Sequence, residues 1–506
     1  MRTAMLPLLA ALLLLSLGAA AVLLVIRFAP GKNTCAKADA YIAKHSGSTD
    51  GSYRGTYHFT PPVGWMNDPN GFCYANGVYH LFYQCHPYSA EWGPMHWGHA
   101  VSRDLIAWEH LPVALATDRP YDKKGCWSGS ALLHDGKLWL MYTGVDGFGR
   151  KTQNLAYSSD GVHFEKYAHN PVLRGKTAAE RKDLRDPYLW REGEIFYCLL
   201  ADRRGPRLYR SGDLTHWQEQ AHVSPPIGSD VFECPCLIRQ GDAELLIGSP
   251  VHCPQRGDEF ANRSANVCAA GRLDRISGAF IGSEYREIDR GTDFYAAQAA
   301  RGADGAVYLI AWMNMWERRQ ITAELGHGWS GMMTLPRRLE LSHGALRQYP
   351  PEGLRRYYQN PVSVHTEFQG ETSFDGICGR SAVLRIRCDL KDAARFTVKL
   401  FASGPHYAAI TYDRRGQLFR LDVSHARYPT AGRPGDIQQR QFSCRADGSH
   451  IEMELFLDRC SVEAFFAGGT AAASMLCYNG AEASGIRFDA DSPVAVHIEK
   501  HDIVLP

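Results

Sequence analysis

From residue 57 onward the chain is written in short runs of alternating apolar and polar residues, broken by Gly, Asp-Gly and Asn-Gly. Val78-Tyr79-His80-Leu81-Phe82-Tyr83 follows Asn76-Gly77, and Leu138-Trp139-Leu140-Met141-Tyr142 follows Asp135-Gly136. A period of two bounded by such turns predicts strands joined as hairpins. No long amphipathic helical period is evident here. One phrase recurs: Ser102-Arg103-Asp104-Leu105 leads to Trp108, Ser158-Ser159-Asp160-Gly161 to Phe164, and Ser211-Gly212-Asp213-Leu214 to Trp217. A near-constant period holding about four short strands predicts propeller blades, and residues 57–348 have room for about five. Residues 349–361, rich in Pro and Tyr, read as a linker. Alternation resumes in Ala382-Val383-Leu384-Arg385-Ile386-Arg387 and in Ile451-Glu452-Met453-Glu454-Leu455-Phe456-Leu457-Asp458, which predicts a β-sandwich over 362–506.

The N-terminus has a different texture. Residues 3–26 carry no charge and are mostly Leu and Ala. As a helix, such a stretch rises about 36 Å, enough to cross a bilayer. Residues 1–27 therefore read as a hydrophobic helix that anchors the chain in a membrane, in preference to a cleaved signal peptide, whose apolar stretch is usually shorter. Gly18-Ala19-Ala20 keeps the signal reading open. Arg27, Lys32, Lys37 and Lys44 follow the span, whereas Arg2 and the free amine precede it. That asymmetry favours a cytoplasmic location for the rest of the chain; a secreted or extracellular protein is the alternative. Residues 28–56 read as a polar lead-in, with a helical turn or two at 36–44 ended by Ser46-Gly47-Ser48.

Composition narrows the function. With 45% hydrophobic and 22% charged residues the chain is not disordered. Lys and Arg (55) nearly balance Asp and Glu (54), so there is no electrostatic footprint for a nucleic acid. The fourteen cysteines include no CxxC pair, and Cys234 and Cys236 are too close for a zinc knuckle. Read as free thiols, they suit a reducing compartment. There is no GxGxxG after a strand, no phosphate-cradling GxxxxGK[ST], no HExxH and no GxSxG. His96 and His99 lie in HWGH with no neighbouring Cys or carboxylate set. Neither a metal nor an organic cofactor is expected.

Three acids stand in unusual company: Asp68 in Gly64-Trp65-Met66-Asn67-Asp68-Pro69-Asn70-Gly71, Asp186 in Leu184-Arg185-Asp186-Pro187-Tyr188, and Glu233 in Val231-Phe232-Glu233-Cys234-Pro235-Cys236. Taken singly, each has an ordinary reading: a turn, a salt bridge to Arg185, a strand-end carboxylate. Together, in a Trp-rich propeller, they argue for cleavage of a glycosidic bond, which needs one carboxylate and one carboxylic acid flanking it.

These segments resemble the three acidic motifs of glycoside hydrolase family 32, the β-fructofuranosidases. Leu81-Phe82-Tyr83-Gln84, Trp97-Gly98-His99, Trp127-Ser128-Gly129-Ser130, Asp293-Phe294-Tyr295-Ala296, Thr334-Leu335-Pro336-Arg337 and Asp458-Arg459-Cys460-Ser461-Val462-Glu463 are similar to supporting segments of that family. The resemblance spans about residues 50–500 and is strongest to the bacterial sucrose-6-phosphate hydrolase branch. It implies an all-β fold, a five-bladed β-propeller followed by a β-sandwich, and hydrolysis of terminal β-D-fructofuranosyl residues of sucrose or sucrose 6-phosphate with retention. It further implies that Asp68 is the nucleophile, Glu233 the acid/base and Asp186 the stabiliser of the fructosyl transition state. Asn67, Gln84, Trp92, Trp97, Trp127, Ser128, Arg185 and Tyr295 would bind the sugar. Physically, Asp68 needs hydrogen-bond donors to stay ionised. Glu233 needs a raised pKa, for which Phe232 and a neighbouring carboxylate are the expected causes. The rivals are an exo-levanase or inulinase, a fructosyltransferase, and an inactive sugar-binding propeller.

Overall fold

The computed structural model describes residues 33–316, 318–342, 344–432 and 437–506. The apolar stretch 3–26, expected to form a membrane helix, lies outside the described residues. Among those described, no helix is long and apolar enough to cross a membrane. The lead-in forms an α-helix, Cys35–His45, capped by the Thr34 hydroxyl accepting from Lys37 N, with a 3-10 turn at Ser46–Ser48.

Five antiparallel sheets follow in chain order. Their innermost strands are Gly64–Ala75, Gly125–His134, Arg185–Glu192, Val231–Gln240 and Tyr295–Arg301, which define blades I to V. Each inner strand packs against the next, and the fifth returns to the first, so the strands form a closed ring. Closure is reinforced by a parallel pairing of Trp329–Ser330 with Gly64 and Trp65. Between blades the interior is apolar, with fully buried Phe82, Tyr142, Leu199, Ile247 and Leu309 among the fillers.

The Ser-x-Asp phrase has a local cause. In blade I the Ser102 hydroxyl accepts from Leu105 N (2.9 Å) while Asp104 Oδ1 accepts from Ile106 N and Ala107 N (both 2.9 Å). Ser158/Asp160 and Ser211/Asp213 make equivalent turns. The residue at the sharpest point has a positive φ in all three, namely Leu105, Gly161 and Leu214. Each turn links the third strand of its blade to the fourth, and Trp108, Phe164 and Trp217 then pack onto the interblade core. Blade IV keeps only the aspartate, Asp274, which accepts from Ile276 N and Ser277 N.

Blade V ends at Tyr349, a 3-10 turn covers Glu352–Tyr357, and strand Tyr358–Thr372 opens the second region. Ten strands there form a sandwich-like sheet folded around one apolar core. The long strand Gly485–Ile503 serves both halves, pairing with Arg395–Ser403 near its start and with Ser381–Asp389 toward its end.

Candidate active site

All five inner strands carry a register shift near their first residues. The shifts fall between Met66 and Pro69, Trp127 and Gly129, Arg185 and Tyr188, Glu233 and Cys236, and Tyr295 and Gln298. A bulge bends its strand and re-aims the side chains beside it. Here the repeated bulge turns Asp68, Ser128, Asp186 and Glu233 toward one space at the end of the propeller axis. The backbone is forced to do so: Asp186, Cys234 and Ala296 have φ of 54°, 46° and 54°, a conformation unfavourable for non-glycine residues. Hydrogen bonds fix it there. Asp186 N donates to Thr143 Oγ1 (3.0 Å), and Cys234 N donates to Asp186 Oδ2 (3.2 Å). Gly129 is required because a Cβ would lie 2.0 Å from Met141 O.

The cavity, about 210 Å³, is lined by Asn67, Asp68, Gln84, Trp92, Trp127, Ser128, Arg185, Asp186, Glu233 and Trp316. Asp68 Oδ2 accepts from the Ser128 hydroxyl (2.7 Å) and Oδ1 from Asn67 Nδ2 (2.9 Å). The orientation of the Asn67 amide is set by Trp65, whose indole N–H is donor only and takes Asn67 Oδ1 at 2.7 Å. Glu233 is held from both sides. Arg185 donates to Oε1 through Nε (3.0 Å) and Nη2 (2.6 Å), and Tyr295 donates to Oε2 (2.6 Å). Cys234 Sγ approaches both aspartates, 3.7 Å from Asp68 Oδ2 and 3.8 Å from Asp186 Oδ2. Three carboxylates thus share one desolvated space with the Arg185 guanidinium.

Burial dominates the titration of the aspartates. It lifts Asp68 to about 6 against the pull of Ser128 and Asn67, with the Glu233 charge adding to the rise. Asp186 rises to about 7, again chiefly by burial; Arg185 opposes the rise, and Glu233 and Asp68 add to it. Near neutrality Asp68 is therefore mostly ionised, while Asp186 titrates in that range. Phe232, expected to make the surroundings of Glu233 apolar, points to the opposite side of its strand and packs with Tyr285 and under Gly248. Strand alternation explains this, since neighbouring residues face opposite sides. The groups on the Glu233 carboxyl are polar ones, Arg185 and Tyr295.

Two other expected sugar contacts stand elsewhere. Trp97 is fully buried on the third strand of blade I. Its Nε1 donates to Trp127 O (3.1 Å), and its ring packs on Phe82 and Tyr142. It supports the wall from behind. Tyr295 is also wholly buried and reaches the site only through its hydroxyl, which lies 3.2 Å from Ser249 O as well as on Glu233. Trp92, 49% exposed, stands at the rim edge-on to Trp127. Gln84 is anchored through Nε2 to Cys126 O (3.0 Å). Trp316 lines the cavity but was not read from the sequence; it packs on Trp65 and Trp312 in a stretch with no strand pattern. Among the described residues no cluster of His, Cys, Asp or Glu could hold a metal ion. His99 stacks on Phe82 and lies 3.0 Å from the ring of His80, within the blade.

The raised Asp68 titration has a consequence for stability. Below pH 3.8 folded and unfolded chains both hold the proton, and there is no cost. Between 3.8 and about 6 the unfolded chain ionises first, so folding loses stability as pH rises through this window. Above it the loss reaches about 3 kcal/mol at ~1.36 kcal/mol per pK unit. Asp68→Asn is thus expected to raise Tm at pH 7.5 and to change it little near pH 4. Thermal unfolding at both values checks this, and an unchanged or lower Tm at pH 7.5 would refute it.

The described chain matches two family descriptions end to end: "Glycosyl hydrolases family 32 N-terminal domain" over residues 58–350 and "Glycosyl hydrolases family 32 C terminal" over residues 352–503. It is 35% identical to a sucrose-6-phosphate hydrolase of Escherichia coli, covering 87% of this chain and 92% of that one. Identity to a raffinose invertase of the same organism is 34%, covering 89% and 95%. The fold is similar to that of a Bombyx mori GH32 beta-fructofuranosidase mutant in complex with sucrose, with a TM-score of 0.79 at 33% identity, covering 92% of this chain and 97% of the other.

Proposed function

The chain belongs to glycoside hydrolase family 32 and is a β-fructofuranosidase, and from that premise we propose how its residues divide the hydrolysis of sucrose or sucrose 6-phosphate. The observation that carries the reading is the convergence of Asp68, Asp186 and Glu233 on one small cavity, each brought there by its own blade's bulge. Ionised Asp68 attacks C2 of the fructofuranosyl ring. Glu233 delivers its proton to the glycosidic oxygen, the C2–O bond breaks toward that oxygen, and the hexose leaves as an alcohol. The fructosyl group is then an ester of Asp68. In the second half Glu233, now ionised, takes a proton from water, the resulting hydroxide attacks C2, and the Asp68 carboxylate is released. Two displacements at C2 give retention.

Asp186 accepts hydrogen bonds from fructose hydroxyls and places negative charge beside the oxocarbenium-like transition state. Asn67 and Ser128 orient the nucleophile. Arg185 and Tyr295 are positioning residues for Glu233. The single hydroxyl hydrogen of Tyr295 has two acceptors within reach, Glu233 Oε2 and Ser249 O, so the bond network accommodates either protonation state of Glu233. Trp92, Trp127 and Trp316 offer aromatic faces for the sugars, and Gln84 a polar edge.

Residues 1–27 are proposed as a membrane anchor with the propeller on the cytoplasmic side, on the length of the uncharged stretch and the basic residues after it. One fractionation tests both proposals. Carbonate-washed membranes from cells making the full chain should release glucose and fructose from sucrose. A chain lacking residues 1–32 should show similar kcat in the soluble fraction. Activity of the full chain confined to the supernatant would remove the anchor, and no hydrolysis of either substrate in any fraction would remove the function.

A further inference from the structure

One sector of the propeller collects positive charge, although the whole chain carries a net charge of only +1. Four loops reach the site end of blades II and III. Residues 116–124 and 174–184 lead into the two inner strands, and 146–150 and 202–206 join the second and third strands. Each acid of these loops is buried or half-buried and taken by a cation. Asp118 and Asp122 hold Lys166 (2.6 and 2.5 Å), and Asp146 holds Arg150 (2.6 Å). Glu180 and Asp202 hold Arg207 (3.0 and 2.7 Å), and Asp183 holds Arg203 (2.9 Å). By contrast Arg119, Lys124, Arg174, Arg181, Lys182 and Arg204 are exposed. The Arg181 guanidinium donates to carbonyls, those of Gly175 (3.0 Å) and Lys176 (3.2 Å), which leave its charge intact. Phe148 stands among these cations, 50% exposed between Gly147 and Gly149, with the Arg150 guanidinium 5.1 Å from its ring centroid.

The chain enters the propeller at this same face. Strand Trp108–Leu115 ends with Leu115 paired to Trp97, at the site end of blade I. Just beyond it Thr117 Oγ1 accepts from Asn33 Nδ2 (3.2 Å), and the helix Cys35–His45 then follows the strand, Asp39 Oδ1 accepting from Val113 N (2.8 Å). Asn33 thus meets the propeller two residues before Arg119. Only residues 27–32 separate it from the uncharged stretch 3–26. Even fully extended, such a connection reaches about 25 Å at most. A bilayer crossed by residues 3–26 is therefore close to the site end of the propeller. Anionic lipid attracts basic residues beside a span, within a screening length of about 8 Å, and aromatic rings settle at the headgroup level.

We infer that the site end of blades II and III docks on anionic phospholipid, with the six exposed cations against the headgroup phosphates and Phe148 among the headgroups. A concavity of about 390 Å³, lined in part by Arg150, Lys151, Arg174 and Arg181, lies in this face and has room for a headgroup phosphodiester. Guanidinium groups match its oxygens in paired, charge-assisted hydrogen bonds. The inference rests on the proposed anchor for its tether, whereas the charge of the face is independent of it. The docking face lies to one side of the propeller axis. Trp92 of blade I and Trp316 after the inner hairpin of blade V line the sugar cavity on the other side, so docking leaves that side open to water.

The test uses the full chain in nanodiscs of phosphatidylcholine alone and in nanodiscs with about one-third phosphatidylglycerol. Lysines are acetylated and the modification is read by mass spectrometry. Labelling of Lys124 and Lys182 should fall at least threefold in the anionic discs. Lys137, at the opposite end of blade II, and Lys391, in the sandwich, should label equally in both. Salt at about 1 M, where the screening length is about 3 Å, should abolish the difference. A variant combining Arg174→Gln, Arg181→Gln and Arg204→Gln should lose the protection while keeping the wild-type kcat on sucrose. Equal labelling of Lys124 and Lys182 in the two discs overturns the inference, as does equal protection of Lys137 and Lys391 or protection that the variant retains. The comparison of discs and salt needs no variant. Retention on pure phosphatidylcholine discs at high salt reports the anchor separately: its loss removes the anchor, and the labelling still decides the docking.

Discussion

Asp68→Ala is expected to lower kcat on sucrose by on the order of 10^4-fold or more, because it removes the atom that forms the covalent intermediate. Glu233→Ala is expected to lose about 10^2–10^4-fold, the contribution typical of a positioned acid. The two deficits should differ in kind. Without Glu233 the leaving oxygen must depart unprotonated, so a fructoside whose leaving group needs no proton should recover most of the lost rate. The Asp68 variant should gain nothing from such a substrate. Azide separates the two further. In the Glu233 variant it should intercept the fructosyl ester on Asp68 and give a fructosyl azide of retained configuration. In the Asp68 variant any azide product must come from direct displacement and be inverted. Product analysis by NMR checks the configuration. Either variant keeping a tenth of the wild-type kcat, or both giving the same azide anomer, would contradict the assignment.

The three acids could be read from the sequence because each sits in a rigid local phrase with a proline one or two residues on, Asp68-Pro69, Asp186-Pro187 and Glu233-Cys234-Pro235. Those prolines fall where the inner strands of blades I, III and IV slip register. Proline cannot donate to a ladder and is tolerated at bulges. The sequence thus carried the site's geometry as well as its chemistry, although the bulge could be recognised only once the strands were paired. The Ser-x-Asp turns were legible for the same reason, a side chain closing its own turn. What was not legible depends on strand order. Trp97 alternates like any wall residue, yet it stands on the third strand of blade I, where its side chain meets Phe82 and Tyr142 in the interblade core. Phe232 neighbours Glu233 in sequence and faces away from it in space. Trp316 follows the last inner hairpin in an irregular stretch, where no period marks which side it faces.

The late segment from Asp458 to Glu463 contributes no atom to the sugar cavity, and its role is to hold the sandwich against the propeller. Asp458 accepts from the backbone of Thr56, Tyr57 and His58, and the His58 ring bridges Asp458 (2.9 Å) to Glu463 (3.0 Å). Glu463 Oε2 also takes Arg337 through Nε (2.9 Å) and Nη2 (2.6 Å), and the same guanidinium reaches Asp289 (2.8 Å), Gln348 (3.0 Å) and Ser474 (2.6 Å). Arg337, His58 and Glu463 are fully buried, so no water replaces a lost partner. Arg337→Met would leave Glu463 and Asp289 as buried anions with one fewer cation between them. Removing one member of such a cluster costs about 3–5 kcal/mol, and a Tm lower by roughly 3–5 °C is expected for a chain of this size. Arg337→Lys should fall between, keeping the charge but losing the fork that joins four acceptors. Because the bonds cross from propeller to sandwich, limited proteolysis of Arg337→Met should cut first near the 3-10 turn Glu352–Tyr357, at temperatures where the wild type resists. The remaining cation, His58, is raised to about 9 by its two carboxylates, which outweigh its burial. Its contribution is therefore present below pH 6.5 and lost as pH rises through about 9. The Arg337→Met variant, left with His58 alone, should lose Tm more steeply than the wild type between pH 7 and 9.5. Equal slopes, or a Tm within 2 °C of wild type at pH 7, would show that the cluster does not join the two halves of the molecule.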